Sequence, residues 1–250
     1  MDLVWIFRFF VFWYVCGFLL LTFDLIPPAL EWANAVFLIV AGLIGGIYFV
    51  KRFGVTIGFL YSLFIVIFSI AVEHYGVQYN LWFGSYHYEQ DFGPMVSGVP
   101  ISIGFAWLMV IAGSHEIARV LSPQGKYFFI SFLLIGSALA VSIDLILDPV
   151  AFHVKEYWIW DEPGMYYSIP FSNFTGWFFL SLFFHLIGYS VMRKSQTNPQ
   201  WGHRMFLVFE GVQGMFVWLA IIGNLWLAAT LVGFIMVITI RLYIQKRRLL

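Results

Sequence analysis

The chain has 250 residues, of which 62% are hydrophobic and 10% charged, with 13 basic and 13 acidic side chains and zero formal net charge. Soluble domains carry about 25% charged residues, so the composition excludes an ordinary water-soluble globule. No basic cluster is large enough for a nucleic-acid footprint, so no nucleic-acid partner is expected.

Apolar stretches of about 18–22 residues, the length that crosses a hydrocarbon core, recur from end to end. They predict spans near 4–23, 33–50, 54–72, 99–118, 127–147, 172–192, 205–221 and 225–243. Residues 205–243 are almost unbroken, and only Gly223-Asn224 suggests a turn there. Charge decides between seven spans and eight. With eight, Lys51, Arg52, Arg119, Lys126, Arg193, Lys194, Arg204, Arg241, Lys246, Arg247 and Arg248 share one side. Lys155 alone lies in an opposite loop, and Arg8 sits inside the first span. Seven spans would push the Lys246-Arg247-Arg248 tail outward. The positive-inside rule therefore favours eight, with both termini cytoplasmic. The expected fold class is all-α, a polytopic transmembrane helical bundle forming a single integral membrane domain over 1–250.

The first span lacks a small-residue cleavage site and reads as an uncleaved anchor. Cys16 is the only cysteine, so no intrachain disulfide is expected. Asp24, Glu31, Glu73, Glu89, Asp91, Asp148, Glu156, Asp161 and Glu162 map on or near the outer face, making the molecule basic inside and acidic outside. Two long outer loops, roughly 73–98 and 148–171, each hold seven Phe, Tyr or Trp residues among glycines and prolines. Disordered loops are poor in aromatics, so these are expected to fold onto the helix ends. They serve either as a lid or as an interfacial aromatic belt.

Ionisable residues in or beside a span are costly unless paired, hydrated or functional. Asp144 and Asp148 are four apart on a helix expected to end at Pro149, one turn apart on one face, with Asp144 the deeper. Two carboxylates so close in a poor dielectric do not both ionise readily. That suits a general acid working near neutral pH. The plain alternative is hydrogen bonding at the helix end. Glu73 and His74 close the third span on the same side, either as a second proton-handling pair or as ordinary interfacial residues.

Elsewhere the chemistry is thinner. His115-Glu116 begins like a zinc-protease helix, but Arg119 stands where the second His is needed, so a structural Glu116–Arg119 pair is expected. Glu210 is expected to pair with Arg8 or a helix-end group, and His185 to be a hydrogen-bonded packing residue. No His/Cys/Asp/Glu cluster specifies a metal, and no phosphate loop or dinucleotide fingerprint implies NAD or ATP. All five lysines lie in loops or tails, which excludes a retinal-type photoreceptor.

Two blocks carry a family resemblance. The first is Glu73-x-x-Gly76, Phe83-Gly84-x-Tyr86-x-Tyr88, Gly93-Pro94, Gly98-Val99-Pro100 and Trp107. The second is Asp144-Leu145-x-x-Asp148-Pro149, Trp158-x-Trp160, Gly164, Tyr166-Tyr167, Ile169-Pro170, Asn173-Phe174 and Gly176-Trp177. Together they resemble the prokaryotic carotenoid-biosynthesis membrane proteins, whose characterised members are carotenoid hydratases. Ser168 stands where the family pattern has Gly, and Leu81-Trp82-Phe83 replaces a small-residue or proline-containing entry to the Gly84 turn. Neither departure touches an acid; both bear on end-group shape or chain length.

The resemblance implies a hydratase that adds water to the terminal double bond of an acyclic carotenoid, giving a tertiary alcohol without a cofactor. Protonation by an acid makes a tertiary cation, aromatic faces stabilise it, and water captures it. Asp144 is the expected proton donor, helped by Asp148, with Glu73, His74 or Asn173 aiming the water. Trp158, Trp160 and Trp177 are expected to line the end-group pocket, with Tyr86 and Tyr88 beside them. The implied partners are the lipophilic carotenoid, the lipid bilayer and other enzymes of the pathway, desaturases and glycosyltransferases; the implied location is the plasma membrane. Two other readings stay open: a carotenoid end-group cyclase or isomerase, which begins with the same protonation, and a non-enzymatic carotenoid-binding or transport protein.

Overall fold

A computed structural model describes residues 3–79, 82–88, 93–191 and 198–248. Leu81, Glu89, Asp91, Arg193 and Lys194, used above in the loop and charge readings, lie outside the described residues. Eight helices among the described residues are long and apolar enough to cross a membrane. They are α1 (Val4–Thr22), α2 (Trp32–Phe53), α3 (Val55–Tyr79), α4 (Ile101–Leu121), α5 (Phe128–His153), α6 (Phe171–Val191), α7 (Pro199–Ile222) and α8 (Trp226–Arg247). The expected all-helical, eight-span bundle is what the chain forms.

The doubtful break between the last two spans falls where Gly223-Asn224 suggested. Asn224 adopts a left-handed φ of 60°, and Leu225 N–H donates to Ala220 O across it at 2.8 Å. A left-handed residue after the last helical turn is a common helix stop, and Asn tolerates it better than most.

Helix α4 lies at the centre and packs most closely on α2. A side chain on Gly45 would meet Leu108 O at 2.9 Å and Ala112 Cβ at 3.0 Å. Absence of a side chain there lets the two backbones approach, the usual device where lipid supplies no hydrophobic drive between helices. At the other extreme, α1 buries only Phe10 and Leu21.

Two helices run further than expected. α3 continues to Tyr79, which puts Glu73 inside the helix instead of at its end. α5 passes through Pro149 to His153. Proline removes one helical hydrogen bond and frees the carbonyl four residues earlier. That carbonyl belongs to Leu145, and it accepts the Tyr166 hydroxyl at 2.9 Å. A loop tyrosine therefore replaces the missing bond and carries the helix past its proline.

The two aromatic loops fold together. β1 (Tyr86–Tyr88) of the first pairs antiparallel with β4 (Trp158–Trp160) of the second, Tyr86 opposite Trp160 and Tyr88 opposite Trp158. In the first loop, β2 (Met95–Val96) and β3 (Val99–Pro100) form a hairpin leading into α4. Lys155, the lone basic residue of its loop, donates to Leu21 O at 3.3 Å and Asp24 Oδ1 at 3.1 Å, tying the lid to the end of α1. The loops thus form a lid, one of the two expected arrangements. Tyr167 and Ser168 take left-handed φ values of 48° and 58°. Such a backbone favours glycine, so Ser168 is a strained choice at this turn and not a neutral one.

Candidate active site

Beneath the lid lies a cavity of about 350 Å³. Its wall combines helix ends and lid. α3 supplies Glu73, α4 Trp107, α5 Asp148, and α6 Asn173 and Trp177, while the lid adds Tyr86, Tyr88, Trp158 and Trp160. Apolar residues of α1, α2 and α7 complete it, among them Phe12, Phe37 and Phe216.

One side of the site is built around two carboxyls. Asp144 and Asp148 are 0% and 3% exposed and stand one helical turn apart on α5. Asn173, in the first turn of α6, donates its amide to Asp144 Oδ2 at 2.9 Å and to Asp148 Oδ2 at 2.6 Å. Trp158 and Asp148 both line the cavity. Only Asp148 of the two reaches the cavity wall, and Asp144 stands one turn behind it. None of the ion pairs among the described residues involves either aspartate.

The other side is built around Glu73, 5% exposed. It accepts the Tyr86 hydroxyl at Oε2 and the Trp107 indole N–H at Oε1, the latter at 2.9 Å. Burial, and then the neighbouring Glu73, push the Tyr86 phenol well up, so it stays a proton-bearing donor. Trp107 stacks on Trp177 with ring centroids 4.2 Å apart, and Tyr86 lies 5.0 Å from Trp160. The result is a pocket with carboxyl groups in two places and indole or phenol rings between them.

Of the ten residues singled out from the sequence, eight line this cavity: Asp148, Glu73, Asn173, Tyr86, Tyr88, Trp158, Trp160 and Trp177. Asp144 touches it only through Asp148 and Asn173. His74 is not brought to the wall; its Nδ1 is bonded to Ser97 O of the β2–β3 hairpin at 2.7 Å. Helical spacing turns adjacent residues about 100° apart, so Glu73 and His74 cannot share one direction. Sequence reasoning missed Trp107 as the partner of Glu73, although it belongs to the first motif block. It also missed Asn34 and the α1 wall, where no charge or spacing stands out.

The remaining ionisable residues go elsewhere. Glu116 accepts Arg119 Nη2 at 2.8 Å, as expected, and also Tyr48 at 2.9 Å and Tyr243 at 3.2 Å, near the opposite end of the bundle. His185 bonds Ser181 O at 2.7 Å and packs against Gly136, as expected. Glu210 differs from expectation: neither carboxyl oxygen has a hydrogen-bond partner among the described residues. Its place mid-helix on α7 keeps it away from the helix ends where partners were sought.

A segment of 114 residues is 27% identical to a bisanhydrobacterioruberin hydratase of Haloarcula japonica, covering 45% of this chain and 38% of that relative. No solved structure matches. The family described as carotenoid biosynthesis protein matches residues 33–240, a stretch that includes both carboxyl clusters and both lid strands, and the chain belongs to that family.

Proposed function

We propose that the protein hydrates the terminal double bond of a linear carotenoid. The observation that carries the reading is the Asp144–Asp148–Asn173 cluster opening, through Asp148, into an aromatic cavity that also holds Glu73. With Asn173 holding the two carboxyls together, one proton is shared between them. Asp148 gives that proton to the less substituted alkene carbon; the carbon–carbon π bond supplies the electron pair, and a tertiary cation forms at its neighbour. The faces of Trp158, Trp160 and Trp177 stabilise the cation through their quadrupoles. A water molecule adds its lone pair to the cation and passes a proton to a carboxylate of the site. Glu73, fixed by Tyr86 and Trp107, is the group placed to orient that water. A proton returning to the aspartate pair closes the cycle, and the sum is alkene plus water giving tertiary alcohol.

The hydratase name of the Haloarcula relative supports this reading over cyclisation, which shares the first step but adds no water. The test is co-expression in a bacterium that accumulates one acyclic carotenoid, followed by mass spectrometry of the pigments. A product heavier by one water, lost with Asp148→Asn at unchanged protein level, is the expected outcome. An isomer of unchanged mass would show a cyclase or isomerase, and unmodified pigment co-purifying with folded protein would show a binding protein.

A further inference from the structure

A polyene dissolved in lipid has to reach this cavity, and the two edges of α1 differ in a way that identifies a door. Along the α7 edge, Tyr14 donates to Gly211 O at 2.8 Å and Trp218 donates to Thr22 Oγ1 at 3.1 Å, while the Phe18 and Trp218 rings meet at 6.4 Å. Neither Tyr14 nor Phe18 is part of the cavity wall among the described residues. That edge is shut. Along the α2 edge the cavity wall comes to the surface: Phe12 is 62% exposed and Trp32 46%, and both line the cavity. Trp13, also of the wall, donates to Ala33 O at 3.2 Å and meets the Trp32 ring at 6.1 Å, and deeper on this edge Phe37 meets Phe10 and Tyr14, so rings that can turn aside, and not a run of backbone contacts, bridge it.

A residue that lines a cavity and is also exposed marks its mouth. Here the mouth is framed by apolar rings between two membrane helices, so it faces hydrocarbon and not water. From Leu21 to Phe12 the cavity follows α1 for about 14 Å at 1.5 Å per residue. Gly17 lies midway on that wall, and nothing stands within 4 Å of where its side chain would be. Its missing side chain is therefore open channel and not a packing contact. A cavity of about 350 Å³ is roughly a dozen water volumes at about 30 Å³ each, enough for an end group but not for a long polyene. The rest of such a substrate must leave through the mouth.

We propose that the crevice between α1 and α2 is the portal through which the chain of a linear polyene threads from lipid, passing Gly17, while its end group rests at Asp148 and Glu73. This inference rests on the hydratase reading, and the following experiment separates the two. Gly17→Phe fills open space and removes a helix-weakening glycine, so it is expected to fold. Val15→Phe, on the exposed lipid side of the same helix, is the control. Conversion of lycopene and of citronellol, a short alcohol with the same trisubstituted end, is measured for each, together with pigment bound per protein after purification.

Gly17→Phe is expected to lower lycopene conversion by about tenfold or more, about 1.4 kcal/mol, because its ring stands in the path of the chain. Citronellol conversion should move by less than about threefold, about 0.6 kcal/mol. Val15→Phe should change neither. Full lycopene turnover by Gly17→Phe, or equal loss on both substrates, would overturn the portal. If the wild-type protein hydrates neither compound, the hydratase reading fails, and the portal is judged on pigment retention alone. Retention lowered by Gly17→Phe but not by Val15→Phe upholds it, and equal retention overturns it.

Discussion

Two buried carboxylate clusters occupy opposite ends of this bundle, and they are built from opposite materials. At the basic end, Glu116 is met by the Arg119 guanidinium and by two tyrosine hydroxyls, which compensate its charge. Under the lid, Asp144, Asp148 and Glu73 are met by neutral donors: an amide, a phenol and an indole. The first arrangement has a fixed ion partner, and the second has none among the described residues. The second cluster borders a cavity of about 350 Å³. The contrast teaches that a buried acid in a membrane helix becomes a site or a clamp according to its partner, not its depth.

Asp148→Asn is the sharpest way to break the comparison. It keeps a side chain able to accept from Asn173 but deletes the proton, so conversion should fall by about 10²- to 10⁴-fold, the usual worth of general acid catalysis. Thermal unfolding in detergent should barely move. Glu116→Gln should do the reverse. Breaking a buried ion pair costs about 3–5 kcal/mol, and the lower end applies because Arg119 keeps 20% exposure. The unfolding midpoint should drop while product per folded molecule stays as before. If Glu116→Gln abolished turnover in folded protein, the division into clamp and site would be wrong.

Tyr86→Phe tests the Glu73 side. Removing a hydrogen bond to a charged group costs about 1.5–3 kcal/mol, so conversion should slow by about tenfold to a hundredfold. Because burial and Glu73 hold the Tyr86 phenol well up, the wild-type rate should show no alkaline fall from this group between about pH 7 and about pH 9. Loss of rate in that window that disappears in Tyr86→Phe would contradict the arrangement. The smallest effect belongs to Tyr166→Phe, which leaves the Leu145 carbonyl without its loop donor. It should lower stability by about 1 kcal/mol and leave the product unchanged, read from the unfolding midpoint and the pigment mass.

How much of this was legible beforehand follows from the reach of each signal. Hydropathy is local, so the spans and the Gly223-Asn224 break could be read directly. Asp148, Glu73 and Asn173 stood out because a polar residue against an apolar background is conspicuous wherever it sits. The passage of α5 through Pro149 was invisible, since it depends on Tyr166 arriving from another segment. The β1–β4 pairing was equally hidden, because three-residue strands carry no periodicity. His74 was misjudged beside Glu73 because adjacency in sequence is divergence on a helix. The α1 wall, with Gly17 and Phe12, carries no charge and no motif, and only the packing shows that it borders a cavity.

The short sheet joining the two lid loops also has a consequence for biogenesis. Its strands are separated by about seventy residues, so at about 5–20 residues per second the ribosome makes Tyr86 several seconds before Trp160 exists to receive it. Glu73 is inserted early and waits with its phenol partner untethered; the aspartates arrive with α5, and Asn173 only with α6. A chain arrested anywhere before α6 therefore carries its acids without the amide that joins them and without a roof. The amide that joins the aspartates and the strand that pairs with β1 both come from the second half of the chain, so the cavity is completed only when the sixth helix is made.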